Sequence, residues 1–234
     1  MSFPTITKTN KTLIIILISS FLIDAILAKA AGFSLSGITG LRAASVESGF
    51  IWQLLTYPLV PTSLFEILFE AMMLWFIGSE LENLWGTTKY LKFLLACLLG
   101  GTVLYVLSTS FLLRSTVAYQ VTLSGPAGIC SALAVAYGIL FPERTMYLFL
   151  FPVKAKWFVG IIVAMSLYQG IFSPFGLLSW CQLGNIAAGY LWMLSQTKNS
   201  YNLSKLFGST KRKKGHLKIV KDNEDKDDND ITYH

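Results

Sequence analysis

Long apolar runs recur along the chain, each bounded by short polar links. They lie near Leu13–Ala28, Leu64–Ile77, Tyr90–Leu107, Ser124–Leu140, Trp157–Phe172 and Phe175–Met193. Runs of this length suit helices crossing about 30 Å of hydrocarbon. The pattern predicts an all-α membrane protein with six transmembrane helices. The second run is the shortest and is interrupted by Glu66 and Glu70. Residues 29–62 form a long loop between the first two spans, and this loop is itself semi-apolar, with Phe33, Leu35, Ile38, Leu41, Phe50, Ile51, Trp52 and Leu55. Such a loop is expected to lie in the outer interface, packed on the helices, with Trp52 and Tyr57 at headgroup level. Three segments follow: a cytoplasmic N-terminus over 1–11, a transmembrane domain over 12–196 and a charged tail over 197–234. The first run is read as a retained helix, because it is long and no A-x-A-like site closes it. No internal repeat is evident.

Composition supports this reading. The chain of 234 residues is 53% hydrophobic and 14% charged, with mean hydropathy +0.56, whereas soluble domains carry about 25% charged residues. The net charge of +6 is distributed as a topology signal. Sixteen of the nineteen Lys and Arg residues fall in the N-terminus, the even-numbered links and the tail, leaving Lys29, Arg42 and Arg114 on the other side. By the positive-inside rule both termini are cytoplasmic, and with the short loops this suits a bacterial inner membrane. The basic run Lys211–Lys214 could touch anionic headgroups, but the acidic stretch Asp222–Asp230 opposes this, and a solvated, disordered tail is the plainer reading. Nothing points to nucleic acid. Cys97, Cys130 and Cys181 are scattered inside spans, which implies apolar packing and neither a disulfide framework nor a metal site. No phosphate-binding glycine loop follows a strand, so no cofactor is expected.

Three constellations carry the candidate chemistry. The first is Thr122-Leu123-Ser124-Gly125-Pro126-Ala127-Gly128, which opens the fourth span. Pro126 suits the first turn of a helix. Gly125, Gly128, Ala132 and Ala136 form a face that permits close helix approach. Ser124 then lies at a helix N-terminus on the outer side, where free N–H groups and the helix dipole favour an oxyanion. A serine that merely caps the helix is the bland alternative. The second runs from Trp52 to Tyr57, through Glu66 and Glu70, to Gly78–Gly86 with Glu82 inside it. The third is Cys181-Gln182-Leu183-Gly184-Asn185 running on to Gly189.

Together, from about Trp52 to Leu194, these resemble the rhomboid family of intramembrane serine proteases. Thr122–Gly125 resembles its G-x-S-G motif with the first glycine replaced. Gly78–Gly86 resembles its G-x-x-L-E-x-x-x-G element, and Cys181–Gly189 its A-H-x-x-G-x-x-x-G element. The resemblance implies a six-helix rhomboid-like bundle. It makes Ser124 the nucleophile position and Gly125 part of the oxyanion pocket, with Glu82, Gly86, Gly128, Gly184 and Gly189 as structural positions. The departures matter as much. The family's catalytic histidine falls on Gln182, its oxyanion-assisting H-x-x-x-N pair falls on Glu66 and Glu70, and a motif glycine falls on Asn185. The two histidines, His216 and His234, lie in the tail.

A serine hydroxyl is a weak nucleophile without an adjacent base, and an amide at position 182 cannot accept its proton. The leading expectation is therefore a pseudoprotease that binds or escorts transmembrane helices of other proteins within the bilayer without cutting them. One alternative is an active intramembrane serine endopeptidase in which Glu66 or Glu70 assists Ser124, although a carboxylate in the oxyanion pocket repels the developing charge. Another is a small transporter or proton-linked channel using Asp24, Glu66 and Glu70, since intramembrane acids mark functional cavities by default.

Overall fold

The computed structural model describes residues 5–109, 122–148, 151–173 and 176–207. The chain divides into two units, Met1–Thr197 and Lys198–His234. Of the second, residues 198–207 are described and are helical. The basic run, the acidic stretch and both histidines lie outside the described residues.

The architecture is nearly all helical. Helix α1 (Lys8–Ala31) ends at Gly32, whose φ of 63° closes it in the left-handed region, a conformation that glycine adopts without strain. Only Asn10 and Leu17 of α1 are buried, while Ile15, Leu22, Ile23 and Ile26 are about half exposed or more. On a chain this apolar, such a surface faces lipid.

Three short helices, α2 (Ser36–Thr39), α3 (Ala43–Glu47) and α4 (Gln53–Thr56), and a single 3-10 turn over Tyr57–Leu59 build the loop that follows. Leu41, Ala43 and Tyr57 are buried against Tyr105 and Cys181. Phe50, Ile51, Trp52 and Leu55 stay exposed, and the Phe50 and Trp52 rings meet edge to face at 4.9 Å.

The second apolar run is longer than its sequence suggests. Helix α5 (Leu64–Met73) passes through one wide π turn at Leu74–Gly78 into α6 (Ser79–Trp85). The polar stretch Ser79–Glu82 is thus helical, because Ser79, Leu81 and Glu82 are buried against the bundle. Gly86, with φ 79°, separates α6 from α7 (Thr87–Leu107). Helix α8 (Ala127–Leu140) is largely buried. An antiparallel hairpin follows, β1 (Thr145–Leu148) on β2 (Phe151–Lys154), with Thr145 opposite Lys154 and Leu148 opposite Phe151. The sequence reading treated this stretch as a plain link; its β-branched and aromatic residues are what favour pairing. Helices α9 (Ala155–Phe172) and α10 (Gly176–Phe207) complete the chain.

Among the described residues, α1, α7 and α9 are long and apolar enough to cross a membrane. The segments Gln53–Leu59 and Leu64–Trp85 pass the same test together but are bent by 97° at their junction. The apolar α8 has 14 residues. A large apolar surface is exposed, while Asn10, Gln53, Glu70, Ser79, Glu82, Thr102, Ser166 and Asn185 are buried. Polar groups inside and apolar groups outside is the arrangement a bilayer demands, since lipid satisfies no hydrogen bonds.

Two features hold this interior together. A Cβ at Gly100 would lie 2.1 Å from the Ala188 Cβ, and one at Gly184 would lie 2.7 Å from the Gly100 carbonyl oxygen. Helices α7 and α10 therefore meet backbone to backbone, the close approach that small residues permit in membranes. Gly189 lies over Phe93 and Cys97 in the same crossing. At the other end of the bundle Glu82 gathers the chain's start. Its carboxylate accepts from Thr7 Oγ1 (2.5 Å), Thr9 Oγ1 (2.5 Å), Asn10 Nδ2 (3.0 Å) and Thr87 Oγ1 (2.8 Å). Tyr90 donates to the Asn10 carbonyl at 2.7 Å.

Candidate functional site

The segment Thr122–Pro126 is not helical, bending at Gly125 and Pro126, and α8 begins only at Ala127. Pro126 occupies the cap position and not the first turn as expected, and Ser124 lies two residues before the cap. The outer loop holds this segment in place. Leu41 and Leu123 exchange two backbone hydrogen bonds, both 2.8 Å. Arg42 donates to Thr122 Oγ1 from Nε (3.1 Å) and Nη2 (2.8 Å). The Gly125 N–H donates to the Tyr57 carbonyl at 2.9 Å, and the Ser124 hydroxyl donates to the Val60 carbonyl. The serine hydroxyl does not cap the helix.

Ser124, Gly125, Glu66, Gly128 and Gln182 line one cavity of about 380 Å³. The structure thus brings the nucleophile position, the position of the missing histidine and the first carboxylate to one place. Gln182 is turned to another partner, with its amide donating to Ser131 Oγ at 2.6 Å. Ser131 Oγ in turn donates a hydrogen bond to the Ala127 carbonyl at 2.8 Å. Glu66 is fixed from two sides. Its N–H donates to the capping Ser63 hydroxyl at 3.2 Å, and its Oε2 accepts from Thr62 N (2.8 Å) and Thr62 Oγ1 (2.7 Å). These bonds form a variant of the reciprocal capping box that begins a helix. Its Oε1 points at Gly125, where a Cβ would lie 2.2 Å away, and Gly125 itself has φ +91°.

Chemically, the arrangement is poor in what acyl transfer needs. An oxyanion hole requires N–H donors aimed at an empty position. The Gly125 N–H is already used by Tyr57, and a carboxylate stands beside it. Among the described residues, Glu66 is the one carboxylate lining the cavity that contains Ser124.

Glu70, one turn along α5, enters a second cavity of about 290 Å³ that shares Glu66, Ala127 and Gln182 with the first. Its carboxyl group is 1% exposed, and neither oxygen has a hydrogen-bond partner. Asp24 is elsewhere. It accepts from Leu35 N (2.5 Å), Ser36 N (3.3 Å) and Ser34 Oγ (3.0 Å), and so secures the start of α2. It lines neither of the two cavities.

Several residues of the site do work that their motifs do not reveal. Asn185 is fully buried, wedged between Gly101 and Gly128, whose added Cβ atoms would lie 2.3 and 2.0 Å from its amide. Its Nδ2 donates to the Tyr57 hydroxyl at 3.4 Å. Gly128 is therefore small to admit Asn185. Tyr57, Val60 and Arg42 act mainly through position, and the one signal for them in the sequence is the unusual apolarity of the loop that carries them.

A polytopic helical bundle with a polar interior, glycine-lined helix crossings and a serine segment folded under an outer loop is a rhomboid-like integral membrane protein. The family model described as "Eukaryotic integral membrane protein (DUF1751)" matches residues 11–196, and the chain belongs to that family. It is also similar to Rhomboid-like protein 19 of Arabidopsis thaliana, at 27% identity over 127 residues, which is 53% of this chain and 41% of that protein. The chain therefore matches about two fifths of that relative's length. These findings overturn the expectation of a bacterial inner membrane, since the family is described as eukaryotic and this relative comes from a plant. Charge asymmetry and short loops misled here because the positive-inside bias does not distinguish one kind of cell from another.

Proposed function

We propose that this rhomboid-like protein binds transmembrane segments of other membrane proteins and does not cleave them. The observation that carries the reading is the state of the serine segment. The Ser124 hydroxyl is committed to the Val60 carbonyl, Gln182 offers it no base and donates instead to Ser131, and the Gly125 N–H is taken by Tyr57. Losing one member of a catalytic set commonly lowers rate by orders of magnitude, and here base and oxyanion donor are both compromised. A helical bundle with cavities among α5, α8, α9 and α10 suits docking of a helix without chemistry. The carboxylate-assisted protease gains little support, because Glu66 is held by Thr62 and points at the oxyanion position. The transport reading loses one of its three acids to the cap of α2.

The test is cleavage of a transmembrane reporter by the purified full-length protein in proteoliposomes, beside Ser124→Ala. Equal, background cleavage by both and no labelling of Ser124 by a fluorophosphonate are expected. Cleavage that disappears in Ser124→Ala would overturn the reading.

A further inference from the structure

The second cavity contains a charge problem that the serine segment does not explain. On α5, Glu66 and Glu70 face it together with Phe69 and Met73. The opposite wall is α9, with Phe158, Ile162 and Met165, and both helices pack on α8. Among the described residues no Lys, Arg or His lines it. Glu70 is 1% exposed and neither oxygen has a donor from another residue type, whereas buried polar groups are nearly always hydrogen-bonded. The group within reach of it is a second acid, Glu66, which can share a proton with Glu70 but supplies no positive charge, and burying such a pair in hydrocarbon is costly. Met165, at the edge of the cavity on α9, is 56% exposed.

We infer that this cavity receives a basic side chain, lysine or arginine, carried within the membrane by a transmembrane segment of a partner protein. The inference rests on the client-binding reading above and names the class of client. Charge complementarity selects the chemistry, since an ammonium or guanidinium supplies the donors that both Glu70 oxygens lack, as charge-assisted bonds. The apolar lining of Phe69, Met73 and Phe158 accommodates the aliphatic stem. Depth selects the source. Glu70 is six residues into α5, about 9 Å along the helix from its start. A lipid amine belongs at headgroup level, whereas a side chain on a spanning helix reaches that depth directly.

The experiment uses the full-length protein in phosphatidylcholine nanodiscs, with a photoreactive residue at position 165. The probes are model transmembrane peptides differing at one central position, Lys or Leu. Crosslinking at least fivefold greater for the Lys peptide is expected, with the preference lost in Glu70→Gln. Monodisperse elution and an unchanged crosslinking yield for the Leu peptide show that the variant is folded, and Glu70→Asp should restore part of the preference. Equal crosslinking of both peptides overturns this inference and leaves client binding standing. No crosslinking of either overturns both. Abolition of the Lys preference by added phosphatidylethanolamine overturns it in favour of a lipid amine.

Discussion

Gly125 is under two constraints at once, a φ of +91° and a carboxylate oxygen 2.2 Å from where a Cβ would stand. Gly125→Ala is expected to lower stability by about 1–3 kcal/mol, read as thermal unfolding in detergent. Pairing it with Glu66→Ala should recover the steric part and leave the backbone part; full recovery would mean that backbone strain is absent. Gly128→Ala drives a methyl into Asn185 at 2.0 Å and should destabilise by a similar amount, whereas Asn185→Gly in the same chain should relieve it. Glu143, in the link before the hairpin, behaves differently. Lys156 at 2.6 Å and Lys154 at 3.0 Å hold its carboxyl down at about 2, from an ordinary 4.5. A depressed carboxyl contributes stability that is whole above about pH 4.5 and disappears as pH falls through about 2. A carboxyl-carbon NMR titration should therefore show a midpoint well under 4; a midpoint near 4.5 would show that the ion pairs do not form. Glu143 is largely exposed, so solvent screening keeps this contribution small, and Glu143→Gln should lower the melting temperature only slightly. At this scale Ser124, Gln182 and the two glutamates were legible in the sequence, because each stands in a local motif. The Val60 and Tyr57 carbonyls were not. Any residue supplies a carbonyl, and these two reach the serine segment only through the path of the outer loop.

Among the elements, the strongest long-range tie joins the start of α1 to the corner between α6 and α7. Four side chains donate to the Glu82 carboxylate, and hydrogen bonds to an ionised acceptor contribute about 1.5–3 kcal/mol each. Glu82→Ala removes an acceptor from the fully buried Asn10 and from three threonine hydroxyls, and a loss of about 2–4 kcal/mol is expected, with early proteolysis near the N-terminus. Unchanged protease resistance would show that the tie is incidental. The sequence marked Glu82 as structural through its motif, but three of its four partners, Thr7, Thr9 and Asn10, lie more than seventy residues earlier and carried no signal. The apolar runs were legible as helices. The hairpin was not, since two four-residue strands within an unbroken apolar run, 146–153, show no alternation for periodicity to detect. Nor was the late start of α8, because Pro126 suits both a cap and a first turn.

Among the described residues the molecule is organised as a membrane protein should be, with a broad aliphatic surface outside and several polar groups, Asn10, Gln53, Glu70, Glu82 and Asn185 among them, buried inside. That inversion was visible in composition alone. The membrane to which it belongs was not, because hydrocarbon thickness and charge bias are common to many membranes. Cutting the chain after Thr197 leaves the first of the two units whole. Removal of residues 198–234 is expected to leave the melting temperature of the bundle within about 2 °C, a shift that corresponds to no more than about 1 kcal/mol. A larger fall would mean that the second unit braces the first.

The wide turn at Leu74–Gly78 ties the two halves of this account together. A π turn is an α-helix carrying one surplus residue. Its five residues sweep about the same angle as four residues of a regular helix, so excising one of them would let the rod rewind with Glu70 upstream and Glu82 downstream still facing inward. The same excision from the regular turns of α5 or α6 would cost about 100° of phase and could keep the inward acid or the N-terminal clasp, never both. A single-codon deletion within Leu74–Gly78 should therefore be tolerated far better than one in either flanking helix, read as thermal unfolding in detergent.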